Sequence, residues 1–294
     1  MRATSCGKEF VFNLDEFAVV LGSCKKWTWH PRAHVGGVAI RSSKECFTCT
    51  VVTSADGSLV ELQIIWKGAT DLVHANTNIR HPKIYQDHQP ASHFQNGATF
   101  ARLASRLIDH VKALRRNRGQ PSAPAIVLVD AAPQHSGDFG FSAANIRVVE
   151  IPKKMTHIFQ PADQYVIAGL KRKMSVAWDA FVEQQFAQHS TDVAIAELKL
   201  SNKPMVRSRM YSFLASAVDE LGSAAVFSSW EVTGINRAMW TEVPSRVVHA
   251  DAVCDRIQSE CDCGQLTAWF CEGCDEAVCH GCRSDHVEAW CPNI

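Results

Sequence analysis

Three aspartates stand where an acid can do chemistry: Asp15 inside an apolar stretch, Asp130 at the end of another, and Asp163 at the head of a helical pattern. Carboxylates brought together repel, because each ionised group raises the cost of ionising the next. Divalent cations remove that repulsion. A pair of them about 3.5–4 Å apart activates both the attacking and the leaving oxygen of a phosphodiester. Ligand sets made only of oxygen favour Mg2+ or Mn2+ over zinc. Taken singly, each acid also has a plainer reading: Asp163 as a helix N-cap, Asp130 as a strand end, Asp15 as a partly exposed strand residue.

A second group of reactive side chains crowds the far end. Eight of the twelve cysteines fall at or after Cys254. The spacing runs Cys261-x-Cys263, Cys271-x-x-Cys274, Cys279-x-x-Cys282, then His286 and Cys291. Thiolates two or three positions apart on a tight knuckle grip one tetrahedral Zn2+ together, so these residues suffice for two zinc ions. Zinc binding at ~10–16 kcal/mol folds a short segment that has little apolar core. Cys46 and Cys49 differ. Three positions apart on an expected strand, they point to opposite faces and cannot chelate one ion.

The elements that must position the aspartates follow from hydrophobic period. Residues 11–21, 46–53 and 59–66 are rich in branched and aromatic side chains and read as strands. Ala55-Asp56-Gly57-Ser58 separates the last two, and Asp-Gly is a hairpin signal because glycine accepts positive φ. A longer connection around residues 27–37 joins the first two strands. Residues 71–97 read as irregular. Phe100, Leu103, Leu107, Val111 and Leu114 recur at helical steps, predicting a helix over 99–118 that Gly119-Gln120-Pro121 stops. Residues 125–129 form a continuous apolar run, as in a strand buried on both faces, and 146–151 form another short strand. A long helix from Asp163 to about residue 189 carries Ile167, Leu170, Met174, Trp178 and Phe181 on one side. Asp163 shares that side, which turns its carboxylate towards the sheet. Helical patterns follow at 210–221 and 223–230. The order implies an α/β fold: a ribonuclease-H-like mixed sheet flanked by helices, with a small C-terminal zinc-binding module.

Composition bounds the rest. The chain has 294 residues, 46% of them hydrophobic and 20% charged, enough for one substantial core and a small accessory unit. No apolar stretch approaches the ~20 residues that cross a bilayer. The start lacks the apolar run of a secretory signal, so an intracellular protein is expected. In a reducing compartment, clustered cysteines point to zinc rather than disulfides. Thirty basic side chains offset thirty acidic ones. Nucleic-acid contact therefore falls to local clusters, Lys171-Arg172-Lys173 or Arg115-Arg116-Asn117-Arg118.

Several stretches resemble a known family. Val127-Leu128-Val129-Asp130-Ala131-Ala132-Pro133-Gln134-His135 resembles the strand and Asp-Asn-Ala-Pro-Ser-His motif of pogo-like transposases, in the mariner superfamily of DDE endonucleases. The segment from Ile151 through Thr156-His157, Gln160-Pro161 and Asp163-Gln164 is similar to that family's Thr-His, Gln-Pro, Asp-Gln run. Asn13-Leu14-Asp15-Glu16 resembles its opening Asn-x-Asp-Glu, and Thr233-Gly234-Ile235 its closing segment. Ala131 departs from the usual asparagine and Gln134 from serine. The likeness is collinear over roughly residues 10–238.

The resemblance implies that Asp15, Asp130 and Asp163 are the catalytic triad holding two Mg2+ or Mn2+ ions, with 32 residues between the last two acids. His135, His157 and Gln160 would support the carboxylates or the scissile phosphate, although a purely structural role is open to both histidines. It implies DNA as partner, no membrane, and a nuclear location. Family members place helix-turn-helix units ahead of this domain, which the reading expects to be lacking here.

The cysteine spacing resembles a B-box or another cross-braced finger. By that analogy Cys261, Cys263, Cys279 and Cys282 share one zinc, and Cys271, Cys274, His286 and Cys291 the other. His280 is a competing ligand and Cys254 an alternative member of the first set. Such fingers imply a protein partner, with nucleic acid as the alternative. The expected organisation is a catalytic domain over 1–240, a linker over 241–253 and a zinc finger over 254–294. Two functions follow: a DNA nuclease or strand-transferase, or a catalytically silent scaffold derived from one.

Overall fold

Strand β1 (Val11–Val20) runs antiparallel to β2 (Cys46–Ser54), and β2 turns back antiparallel into β3 (Leu59–Lys67) in the computed structural model. The structure describes residues 6–21, 46–75, 80–153, 155–188 and 203–240. The 27–37 connection, the linker and the whole cysteine-rich segment lie outside the described residues. The β2–β3 turn forms as the Asp-Gly signal predicts. Gly57 takes φ +95°, and Asp56 Oδ1 accepts from the Ser58 amide at 2.8 Å. A β-bulge at Val52/Thr53 adds to the bend there.

One strand falls inside the stretch expected to be irregular. β4 (Ile84–Gln89) pairs parallel with β3 at the sheet edge. Its sequence, Ile-Tyr-Gln-Asp-His-Gln, hides the strand because its buried positions include polar residues. Asp87 is buried yet satisfied: Arg102 grips it with two contacts of 2.7 Å, and Gln63 donates to it at 3.0 Å. Partnered polar groups of this kind are tolerated in a core and carry no hydrophobic period.

Helix α1 (Gly97–Arg118) covers one face of the sheet. Asn96 and Thr99 close a capping box at its start, and Gly119 in the left-handed region ends it where expected. Phe100, Leu103, Leu107 and Val111 are buried as the period requires. β5 (Ala125–Asp130) then runs parallel to β1, and β6 (Ile146–Ile151) parallel to β5. The sheet order is β4-β3-β2-β1-β5-β6. This is the ribonuclease-H-like arrangement, with one strand added at the edge.

The second face is covered by the C-terminal half. A one-turn helix α2 (Thr156–Phe159) leads into a π-helical turn (Ala162–Val166), then α3 (Ile167–Gln188). Ile167, Leu170, Met174, Trp178 and Phe181 are all buried, which bears out the predicted stripe. Helices α4 (Lys203–Asp219), α5 (Ser223–Val232) and α6 (Ile235–Trp240) pack behind, with Trp230 fully buried. No described helix is long and apolar enough to cross a membrane.

The β2–β3 turn touches this layer. A Cβ on Gly57 would lie 3.1 Å from the backbone oxygen of Ser223 and 3.1 Å from Cβ of Phe227. Gly57→Ala combines positive φ with that close approach. It is expected to lower stability by about 1–3 kcal/mol, read as a lower urea midpoint with unchanged slope.

Candidate active site

Side chains alternate along β1, so its two faces carry different chemistry. Phe12 meets His110 of α1, which assigns Phe12, Leu14 and Glu16 to the α1 face. Asn13, Asp15 and Phe17 face the π turn and α3. The β1–β5 pairing is recorded as far as Asn13 opposite Leu128, and the same register continued two residues sets Asp15 level with Asp130. Both acids thus reach the carboxyl end of the parallel strands, where open α/β sheets place their ligand sites.

Asn13 holds the cleft. Its amide donates to the Leu128 carbonyl and to Gln160 Oε1, both at 3.1 Å, and its oxygen accepts from the Ala162 amide at 3.0 Å. Gln160 in turn donates to the Leu14 carbonyl at 2.9 Å. The segment before α3 is therefore laced onto β1 at Asn13 and Leu14, immediately ahead of Asp15. The Asp163 amide bonds to the Gln160 carbonyl at 3.1 Å, which starts the turn that carries Asp163. Sequence pattern places Asp163 at the start of an α-helix, but the backbone there is a π turn. Such turns recur at functional sites because they re-aim a side chain.

Asp15 and Asp163 lie near enough for one charge to act on the other. Burial, and then the charge of Asp163, push the Asp15 carboxyl up to about 8. A hydrogen bond to the Glu16 amide and the nearby Gln160 amide oppose the rise without cancelling it.

Asp130 is held separately. Its Oδ1 lies 2.7 Å from His135 Nδ1, yet that oxygen is buried without an aligned hydrogen-bond partner. On its other side the His135 ring reaches Glu16 Oε1 at 2.9 Å. Burial disfavours the imidazolium, but bonds and charges from Asp130 and Glu16 outweigh it and raise His135 to about 10. The same contact lowers Asp130. The three carboxylates do not close into one group with every ligand oxygen within 4.8 Å of the others.

Behind His135 runs a buried polar chain. Gln95 Oε1 is 3.3 Å from His135 Nε2, and its amide donates to Thr50 at 3.0 Å and to Gln63 at 3.1 Å. Gln63 continues to Asp87 and so to Arg102. Sequence reasoning missed Gln95, Gln63 and the role of Asn13. Only the resemblance, which quoted Asn13 and Glu16 beside Asp15, hinted at any of them.

Several expected residues stand elsewhere. His157 is exposed, and only its backbone carbonyl is engaged, by Gln164. Lys173 pairs with Glu220 at 2.7 Å and is not a free cation. Lys171 lies 5.5 Å over the Phe17 ring, near Asp15 along β1, while Arg172 is exposed. The Arg115–Arg118 cluster is structural in part. Arg115 is buried and donates to the carbonyls of Ala123, Ala144 and Asn145, and Arg118 lies 3.5 Å from Glu9.

The family pattern of DDE superfamily endonucleases matches residues 49–230. The chain belongs to that family. The match contains Asp130 and Asp163 and begins after Asp15. Among solved structures, a pre-cleavage Mos1 transpososome aligns at 12% identity with a TM-score of 0.40, over 76% of this chain and 56% of that one. A Mos1 mariner paired-end complex with Mn aligns at 14% identity and 0.36, over 74% and 61%. The isolated Mos1 catalytic domain aligns at 11% identity and 0.36, over 76% and 92%. This endonuclease-family chain thus spans 56–61% of the length of the Mos1 chains in those two complexes. No curated protein matches it significantly.

Two outcomes are expected. Asn13→Ala leaves the Ala162 amide and Gln160 oxygen unpaired in a buried site, costing about 2–4 kcal/mol in a denaturation curve. The raised His135 stabilises the fold fully below its unfolded value of 6.5, and that contribution is lost as pH rises towards 10. The stability gap between wild type and His135→Gln should therefore shrink when urea midpoints are compared at pH 6.5 and pH 10.

Proposed function

We propose that this chain is a metal-dependent DNA nuclease or strand-transferase domain of the DDE transposase type, with Asp15, Asp130 and Asp163 as its metal-holding carboxylates. The observation that carries the reading is the proximity of Asp163 to the largely buried Asp15. Burial, and then the charge of the neighbouring Asp163, drive the Asp15 carboxyl far above the ordinary carboxylate range. A divalent cation turns that repulsion into ligation. The Asp130 carboxylate, paired with His135 at 2.7 Å and held below its ordinary value, is the third anionic group of the cleft.

Oxygen-only donors suit Mg2+ or Mn2+. When bound, the cations supply activation of the attacking oxygen and charge neutralisation at the leaving oxygen of a phosphodiester.

The protein's own residues do the positioning. Asn13 and Gln160 keep Asp163 against Asp15, and the imidazolium of His135 keeps Asp130 ionised and turned along the cleft. Lys171, over Phe17, and exposed Arg172 are the cations available to a phosphate backbone; each phosphate contact would add to the salt dependence of binding.

A second reading has one observation in its favour. His135 occupies the neighbourhood of the Asp130 oxygen that a cation needs, and a permanent clamp there would leave a silent scaffold that binds nucleic acid or protein. The cysteine-rich segment, with its proposed zinc ions, would then recruit the partner.

Nicking of supercoiled plasmid in Mn2+ separates the two. Loss of a metal ligand removes several kcal/mol of transition-state stabilisation, so Asp130→Ala should slow nicking on the order of a thousandfold. Equal nicking by wild type and Asp130→Ala would end the nuclease reading.

A further inference from the structure

A different set of side chains, away from the aspartate cleft, converges more tightly. His88 projects from β4, and Asp71 and His74 come from the short 3-10 turn (Asp71–Val73) and the residue after it. His88 Nδ1 lies 3.2 Å from His74 Nε2 and 3.2 Å from Asp71 Oδ1, and His74 Nε2 lies 3.7 Å from that same oxygen. Among the described residues, no other set of three His, Cys, Asp or Glu side chains brings its ligand atoms this close together.

The triangle has the dimensions of a coordination sphere. Ligands held ~2.0–2.2 Å from a tetrahedral ion stand ~3.3–3.6 Å apart. The observed edges bracket that range. One hydrogen atom satisfies only one edge at a time, whereas an ion at the centre satisfies all three lone pairs.

The site is also braced. Gln86, two residues before His88, accepts from the Ala75 amide at 2.7 Å and from Trp66 Nε1 at 2.9 Å, and donates back to the Ala75 carbonyl at 3.3 Å. The residue next to His74 is thereby tied to the strand that carries His88. Both histidine side chains are partly covered, at 22% and 25% exposure, and Asp71 is 83% exposed, which leaves the fourth position to solvent.

We propose that Asp71, His74 and His88 form a transition-metal site that takes Zn2+ and clips the β3–β4 connection to the sheet edge. Two imidazoles and one carboxylate suit Zn2+ and not Mg2+. β3 and β2 lie between β4 and β1, so the site is distinct from the aspartate cleft.

The test uses the full chain in excess Mg2+, titrated with Zn2+ against a chromogenic chelator and separately with Co2+. Wild type should take up one more equivalent of Zn2+ than His74→Ala/His88→Ala. The Co2+ form should show ligand-field bands without thiolate charge transfer, absent from the double variant, which sets this site apart from the cysteines. Asp71→Asn, at a position 83% exposed, should weaken that equivalent at least ~10-fold. Equal zinc content in wild type and double variant, or unchanged affinity in Asp71→Asn, overturns the proposal.

Discussion

A single buried asparagine makes the cleft possible. Asn13 lies in the centre of the sheet with no exposure, where an amide without partners costs a few kcal/mol. It meets that cost by tying β1 to two segments far away in sequence: the end of β5 and the Gln160–Ala162 stretch that opens the π turn. Those bonds hold the chain ahead of α3 down on β1. Without them only the Gln160 bond to the Leu14 carbonyl and the packing of Val166 and Ile167 keep Asp163 beside Asp15. The repulsion between the two acids pushes the other way, so the site balances a rigid polar lock against an electrostatic strain.

The opposite face shows the same economy. An apolar core would bury the underside of Asp130 at no polar cost, yet a chain of Glu16, His135, Gln95, Gln63 and Asp87 crosses the sheet there. It survives because its members are partnered, and a polar network in low dielectric is stable only on that condition. Its consequence is directional. A charged imidazole between two carboxylates keeps Asp130 ionised at neutral pH, while across the strand the Asp15 carboxyl is forced the other way. Two acids one strand apart thus receive opposite environments from the two faces of one sheet.

The sheet edge follows a looser rule. β4 contributes one buried apolar residue, Ile84, and besides its pairing with β3 it is anchored through the side chains of Gln86 and Asp87. An edge strand built on polar anchors leaves side chains free to converge above it, which is how Asp71, His74 and His88 come together.

Sequence alone determined the parts of this protein that repeat. The stripes of α1 and α3, the Asp-Gly hairpin, the apolar run of β5 and the stop at Gly119 were legible because burial imposes a period and turns demand particular residues. The family resemblance named the three acids and the Asn13 and Gln160 motifs around them. Tertiary structure decided what has no period. β4 was hidden because two of its three buried residues, Asp87 and Gln89, are polar, and Asp87 finds its partner Gln63 24 residues away. The π turn under Asp163 leaves no compositional mark, since its residues suit an α-helix equally well. Which cations stay free was equally invisible: Arg115 and Lys173 read as members of basic clusters until packing gave them carbonyls and a carboxylate. Periodicity reports which side of an element is apolar; only the meeting of distant elements settles which polar groups touch, and the chemistry resides in those contacts.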